Sequence, residues 1–415
     1  MDQVSVDHHH LRPMSGRDPR EPHRAATPLE LLFDLTLVVA FGVAGEQLAH
    51  SLAVGHVAVG LAAFGFVLFG ATWAWISYTR FATAYDTDDW FVRLAVLVQM
   101  LGVLVFTLGI PDLFHGFEHH WEMRNETIVA GYVVMRVALV ALWLRAARDH
   151  PERRHACRVQ AGAVALAQVG WVAVAVADLA TGPTLVLGML LFALEVALPM
   201  LIERTYGEHP WHPHHLAERY GLLTIIALGE GVIGTTASLE ALYQHGGWSV
   251  GLVAIGAAGV SLTVGLWWVY FSFPFAQILE LRPASVYAFA YAHLLVWAAV
   301  AMVGAGLHVA AYYLEHEATI GRAATVLTIA LPVALFVLVA YVGGTLMTPG
   351  GTVDPFHVVL VVLTALVLGG AVVLAMAGAS LALCLVVVML APWVTVVGFE
   401  LLGHRHMNER LAVGD

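Results

Sequence analysis

The side chains of this chain best placed to do chemistry are ionisable groups set where a bilayer would be. Asp34, Glu46, Glu195 and Glu230 each interrupt a run of residues apolar enough to cross a membrane, and Arg136 is the one basic residue placed comparably. A charge near the membrane centre costs about 2.5 to 3.5 kcal/mol on insertion scales, so such residues usually face a bundle interior or a watery path. There they serve ion, proton or substrate movement, or lock helices together.

A guanidinium in a low-dielectric bundle requires a carboxylate partner. Arg136, Glu195 and Glu230 all fall near the middle of their runs, which predicts that Arg136 pairs with Glu195 or Glu230. That pair is either a static lock between helices or a working coupling site. Asp34, Glu195 and Glu230 outnumber Arg136, so at least one of them is expected to be neutral or to face water. A carboxyl free to exchange a proton is how a proton-coupled carrier is built. Glu46, twelve residues after Asp34 and hence about 18 Å further along a helix, is expected near the outer surface and solvated.

Glu30 and Asp34 are four apart and share a helical face, where two like charges repel unless a cation intervenes; Arg219 is the candidate. Glu30 and Glu218 also read as helix-capping residues. Gly229, Gly231 and Gly234 surround Glu230 as GEGVIG. This matches a dinucleotide-binding fingerprint only formally, because it lies inside an apolar helix with no preceding strand. Its glycines permit close helix packing or a local loosening of the helix. His293, in VYAFAYAHLLVWAAV, is either a proton shuttle or a neutral core histidine. His209, His212, His214 and His215 lack the spacing of a catalytic zinc site and read as a solvated loop. Asp86, Asp88 and Asp89 form a solvated loop face or a salt-bridged gate with Arg80 and Arg93. Trp73, Trp75, Tyr78, Trp267, Trp268 and Tyr270, at helix ends, read as an interfacial aromatic belt. No metal site and no cofactor are expected.

The elements that must position these groups are membrane helices. The chain has 415 residues, 60% of them hydrophobic and 12% charged, with a mean hydropathy of +0.79. A soluble domain carries about 25% charged residues. The pattern predicts an all-α polytopic transmembrane bundle of about 12 spans. In the first half these lie near 29 to 49, 57 to 79, 91 to 110, 127 to 146, 158 to 178 and 184 to 202. In the second they lie near 219 to 239, 249 to 272, 286 to 310, 324 to 345, 356 to 377 and 379 to 402. Residues 1–26, with Pro13, Pro19, Pro22 and a His8 to His10 run, read as a disordered tail with no cleavable signal peptide. Residues 27–204 and 205–403 read as two six-helix halves and 404–415 as a C-terminal tail. Cys157 and Cys384 show no ligand spacing and are not expected to pair. No basic tract suggests nucleic acid; the net charge of −11 resides in loops and helix ends.

With both termini inside, 16 of the 19 basic residues, all arginine, fall on the cytoplasmic side, and only Arg124 and Arg322 fall outside. That asymmetry predicts cytoplasmic termini. The halves also resemble each other: ELLFDLTLVVA from Glu30 lies over ERYGLLTIIAL from Glu218, Trp75, Tyr78 and Phe81 over Trp267, Tyr270 and Phe273, and Pro199 over Pro392. Such a parallel six-plus-six duplication is common in carriers that bind substrate between repeats.

The segments PLELLFDLTLVVAF (Pro28 to Phe41) and HLAERYGLLTIIALGEGVIG (His215 to Gly234) resemble the bacterial low temperature requirement protein A (LtrA) family, and the hydropathy layout agrees. The first segment departs from the family's phenylalanine-rich form at Leu31, Leu32 and Leu37, with Asp34 matched. The resemblance implies a multi-pass bacterial inner-membrane protein of a family named for growth in the cold. It marks Glu30, Asp34, Glu218, Arg219, Gly229 and Glu230 as functional positions.

The leading expectation is a proton-linked secondary carrier of a small solute, among membrane lipids, with Asp34, Arg136, Glu195, Glu230 and His293 along its path. No P-loop is present to power primary transport. The alternatives are a membrane enzyme acting on lipid or a lipid-linked substrate, for which no nucleophile and base can be named, and a non-catalytic scaffold or sensor of membrane state.

Overall fold

The computed structural model describes residues 11–18, 21, 24–85, 87–119, 121–177, 179–353 and 355–414; His8 to His10, Pro19, Pro22 and Asp86 lie outside them. Among the described residues twelve helices are long and apolar enough to cross a membrane. They are α1 (Pro28–Ala53), α2 (Val57–Tyr85), α3 (Trp90–Glu118), α4 (Glu126–Asp149), α5 (Pro151–Val176) and α6 (Thr181–Tyr206), then α7 (Pro213–Gln244), α8 (Val250–Leu281), α9 (Pro283–Leu314), α10 (Arg322–Met347), α11 (Pro355–Met376) and α12 (Leu381–Gly403). A short helix, α13 (His404–Gly414), ends the chain. Helices are what a lipid solvent demands, since every backbone N–H and C=O must be satisfied within the segment. The outward faces are correspondingly apolar, as with Val358, Val359, Val362 and Leu366 on α11.

Local sequence sets the helix ends. Thr27, Pro28 and Glu30 form a capping box at α1: Glu30 Oε2 accepts from Thr27 N at 2.8 Å while Glu30 N donates to Thr27 Oγ1 at 3.3 Å. Pro28 at the first helical position loses nothing by lacking an N–H. Asp89 Oδ1 caps α3, accepting from Phe91 N and Val92 N at 3.1 Å each. Ser249 and Ser380 cap α8 and α12 in the same way. Inside helices, Pro199, Pro332 and Pro392 each remove one i to i−4 hydrogen bond.

The chain divides into two compact units that interleave along the sequence, Met1–Ala40 with Gly70–Arg219, and Phe41–Phe69 with Tyr220–Asp415. In the first, α3, α4, α5 and α6 pack successively. The α3–α4 crossing is close because Gly102 and Gly131 face each other; a Cβ at Gly131 would stand 2.6 Å from the Gly102 carbonyl. In the second unit α9, α10, α11 and α12 pack in order, with α8 against α12.

Three expectations are corrected here. Trp73, Trp75, Tyr78 and Tyr270 are buried inside their units, and only Trp267 and Trp268 stay exposed as an interfacial belt requires. Hydropathy places an aromatic at a helix end but does not say which way it faces. His209, His212 and His215 are buried and not solvated. The N-terminal segment, where described, is docked: Met14 is fully buried and its N donates to Asp149 Oδ2 at 3.2 Å. Arg17 N donates to Ala84 O at 3.0 Å, and the buried Arg24 donates to the Ala82 and Thr83 carbonyls near the end of α2.

Candidate functional site

Among the described residues Glu30, Asp34 and Arg219 form one paired cluster and Arg136 and Glu195 a second, while Glu230 joins neither. The first cluster joins α1 to the start of α7. Arg219, fully buried, donates from Nη1 to Glu30 Oε1 at 2.5 Å and from Nη2 to Asp34 Oδ1 at 2.7 Å. The one-turn spacing of Glu30 and Asp34 presents two carboxylates to the two arms of one planar fork. Trp75 Nε1 donates to Asp34 Oδ1 at 2.6 Å, and the guanidinium lies 5.3 Å from the Trp75 ring centroid. His215, one turn before Arg219, places Nε2 3.3 Å from Glu30 Oε2. Glu30 therefore both caps its helix and carries an ion pair. Glu218 is exposed and accepts from Ala26 N at 3.3 Å; it lies inside α7, past the first turn that begins at Pro213, and so does not cap that helix as the sequence suggests.

The second cluster lies among α4, α5 and α6. Arg136 and Glu195, both buried, form an ion pair, so the partner of Arg136 is the first of the two expected. Tyr132, one turn before Arg136, accepts from Arg136 Nη2 at 2.6 Å and donates to Glu195 Oε2 at 2.7 Å. Trp171 Nε1 and Gln168 Nε2 donate to the other carboxyl oxygen at 2.9 and 3.4 Å. Four donors thus converge on Glu195. The sequence reading missed Tyr132, Gln168 and Trp171. A signal for them existed: Gln160, Val164, Gln168 and Trp171 recur at helical spacing along one face of α5, and two glutamines within an apolar span are not random.

Glu230 stands apart chemically. It is 8% exposed, and among the described residues its carboxyl makes no hydrogen bond or ion pair. Two glycines from neighbouring helices approach it. A Cβ at Gly42 on α1 would lie 3.1 Å from Glu230 Oε1, and one at Gly304 on α9 would lie 2.9 Å from both the Cβ and the carbonyl oxygen of Glu230. Helix α7 runs unbroken through this point, so its glycines serve approach and do not open the helix. Gly234 meets the Gly304 carbonyl and Gly231 meets Thr263, whereas Gly229 has nothing within 4 Å.

His293 follows its core reading. Nδ1–H donates to the Phe289 carbonyl at 2.7 Å, which leaves Nε2 to accept from Tyr270 Oη at 2.7 Å. Rings of Tyr220, Phe289 and Trp297 enclose it at 4.8, 4.4 and 5.2 Å between centroids. Both nitrogens are committed, so a shuttle role would need this packing to break. Glu46 is exposed, as expected.

Between spans, the aspartate loop is a salt-bridged structure on one side only. Asp89 is buried, is held by both Nη atoms of Arg145 and accepts from Arg12 N at 3.3 Å, whereas Asp88 meets Arg93 in the open. Arg80 pairs with Glu203 at 2.6 Å. Burial alone would push the Asp89 carboxyl up, but hydrogen bonds from Arg145 and the Val92 backbone hold it below the usual carboxylate range. His209 lies against the Trp143 ring, 4.7 Å between centroids, with neither ring nitrogen hydrogen-bonded. Burial, helped by the nearby Arg80 charge, pulls it down to about 4.

The family described as bacterial low temperature requirement A protein (LtrA) matches residues 25–392 of the chain. An uncharacterized protein of Rhizobium meliloti (strain 1021) is 27% identical over 262 residues, covering 58% of this chain and 57% of that relative. The chain therefore spans little more than half the length of this curated relative. No solved structure matches the chain.

Proposed function

We propose, for a chain that belongs to the bacterial low temperature requirement A (LtrA) family, a proton-linked secondary carrier of a small solute in the bacterial inner membrane, with both termini cytoplasmic. The observation that carries the reading is the lone carboxyl of Glu230. Asp34 and Glu30 share Arg219, which leaves one negative charge in excess there, and Glu195 has Arg136, so among these acids Glu230 is the one with no basic partner among the described residues. A paired carboxylate resists any change of charge, because losing one partner strands the other in low dielectric. An unpaired one exchanges a proton without stranding anything, and carriers link that exchange to solute movement. On this reading Asp34, Arg136 and Glu195 hold helices in register and Glu230 is the coupling group. The distribution of arginines supports the orientation.

The test is reconstitution in vesicles holding a trapped pH indicator, challenged in turn with neutral amides, polyols, amino acids and carboxylates. One class should drive proton movement, and Glu230→Gln should abolish it while the protein still folds. Proton movement unchanged in Glu230→Gln removes the coupling role. If no class moves protons and a deletion strain accumulates an altered lipid, the reading gives way to a membrane enzyme.

A further inference from the structure

The Arg136–Glu195 pair borders a cleft among α2, α4, α5 and α6 whose lining includes Trp73, Ser77, Gln160 and Pro199. The enclosed part of the cleft has room for about one water-sized group. Polar atoms there are left over from the ion pair. Arg136 spends only Nη2 on Tyr132 and Glu195; Nε and Nη1 are buried with no hydrogen-bond partner. Gln160 Oε1 is likewise buried and unpartnered, and Gln160 is only 5% exposed. Pro199 adds a third group. Having no N–H, it cannot satisfy the carbonyl four residues back, which belongs to Glu195.

Buried donors and acceptors without partners are costly, and a protein that keeps several around one small space has provided for something to fill it. The donors are on Arg136 and the acceptors are Gln160 Oε1 and the Glu195 carbonyl. An anion could accept from Arg136 but has nothing to donate to the acceptors, and it would place a second negative charge beside Glu195. A cation would meet Arg136. An uncharged group that both accepts and donates satisfies all three.

We propose that this cleft seats the polar head of a small uncharged solute, an amide or hydroxyl compound, which accepts from Arg136 and donates to Gln160. That the seat serves transport rests on the carrier reading; that it binds does not.

Acetamide, acetate and acetamidinium have nearly the same shape and carry charges of zero, minus one and plus one, so they separate charge from size. Each is titrated into the millimolar range against the purified full-length protein, following thermal stability and tryptophan fluorescence, for which Trp73 is the local reporter. Acetamide should give a saturable response and the two ions none over the same range. Gln160→Leu should weaken the acetamide response about tenfold, the loss of one buried hydrogen bond. It should not impair folding, because the Gln160 side chain hydrogen-bonds to none of the described residues. Tighter binding of acetate than of acetamide, an acetamide response that Gln160→Leu leaves unchanged, or no saturable response to any of the three overturns the proposal. Glu230→Gln should bind acetamide as the parent protein does. Intact acetamide binding without solute-driven proton movement would leave the seat standing and remove the carrier; proton movement without acetamide binding would do the reverse.

Discussion

Removal of Arg219 is the perturbation whose cost the structure defines best. The guanidinium makes one contact of 2.5 Å to Glu30 and one of 2.7 Å to Asp34, all three residues being buried. Charge-assisted hydrogen bonds contribute about 1.5 to 3 kcal/mol each, and stripping one partner from a buried pair costs about 3 to 5 kcal/mol because the other charge is left uncompensated. Arg219→Leu should therefore destabilise the protein by about 3 to 5 kcal/mol. Arg219→Lys, whose single ammonium cannot serve both carboxylates in the plane of the fork, should lose about half of that. Adding Glu30→Gln and Asp34→Asn to Arg219→Leu removes every stranded charge, and Gln still completes the capping box with Thr27. The triple variant should return to within about 1 kcal/mol of the parent, as neutral replacements of buried ion pairs often do. Unfolding in mixed micelles of increasing denaturing-detergent fraction, followed by circular dichroism, measures all three. If Arg219→Leu costs under about 1 kcal/mol, or the triple variant is worse than the single, the ion pair does not hold α1 to α7 as argued.

Other outcomes follow from the same geometry. Glu230→Gln should change stability by no more than about 0.5 kcal/mol, since it breaks no bond, whereas Glu195→Leu should cost about 3 to 5 kcal/mol by stranding Arg136; the same unfolding assay separates them. Gly304→Ala sets a Cβ 2.9 Å from the backbone carbonyl of Glu230 and should cost about 1 to 3 kcal/mol, while Gly42→Ala meets only the mobile tip of that side chain and should cost less. His209 is held down to about 4 in the folded protein against about 6.5 unfolded. The unfolded chain thus takes up a proton that the folded one does not, and stability should fall by about 3 kcal/mol as the pH drops from 6.5 to 4, with no contribution above. In His209→Phe that part of the pH dependence should disappear, and a curve unchanged from the parent would show that the ring is not sequestered.

How much of this was legible in the sequence depended on whether the signal was one of composition or of direction. The twelve spans are lengths of apolar residues, and length and hydropathy suffice to find them. The Arg219 cluster was readable because Glu30 and Asp34 repeat at one helical turn and Arg219 falls near the same depth. The partner of Arg136 was narrowed to Glu195 or Glu230 and no further, since depth along a helix leaves its rotation undetermined. The same ambiguity made Trp75 an interfacial anchor on paper, whereas its indole N–H turns inward to Asp34. His209, His212 and His215 are polar letters beside prolines and read as a wetted loop; each is buried, and His212 even accepts from His215 N at 3.2 Å through Nδ1 to start α7. Met14 and Arg24, inside a polar segment, were invisible as docked residues because single buried side chains leave no periodic trace.

The central claim is that Glu230 is the membrane carboxyl that exchanges its proton. Infrared difference spectra of the reconstituted protein, recorded across a pH titration, resolve the carbonyl stretch of protonated carboxyl groups in apolar surroundings. The account predicts such a band in the parent protein and in Glu195→Gln, and its loss in Glu230→Gln. A band that persists undiminished in Glu230→Gln contradicts it.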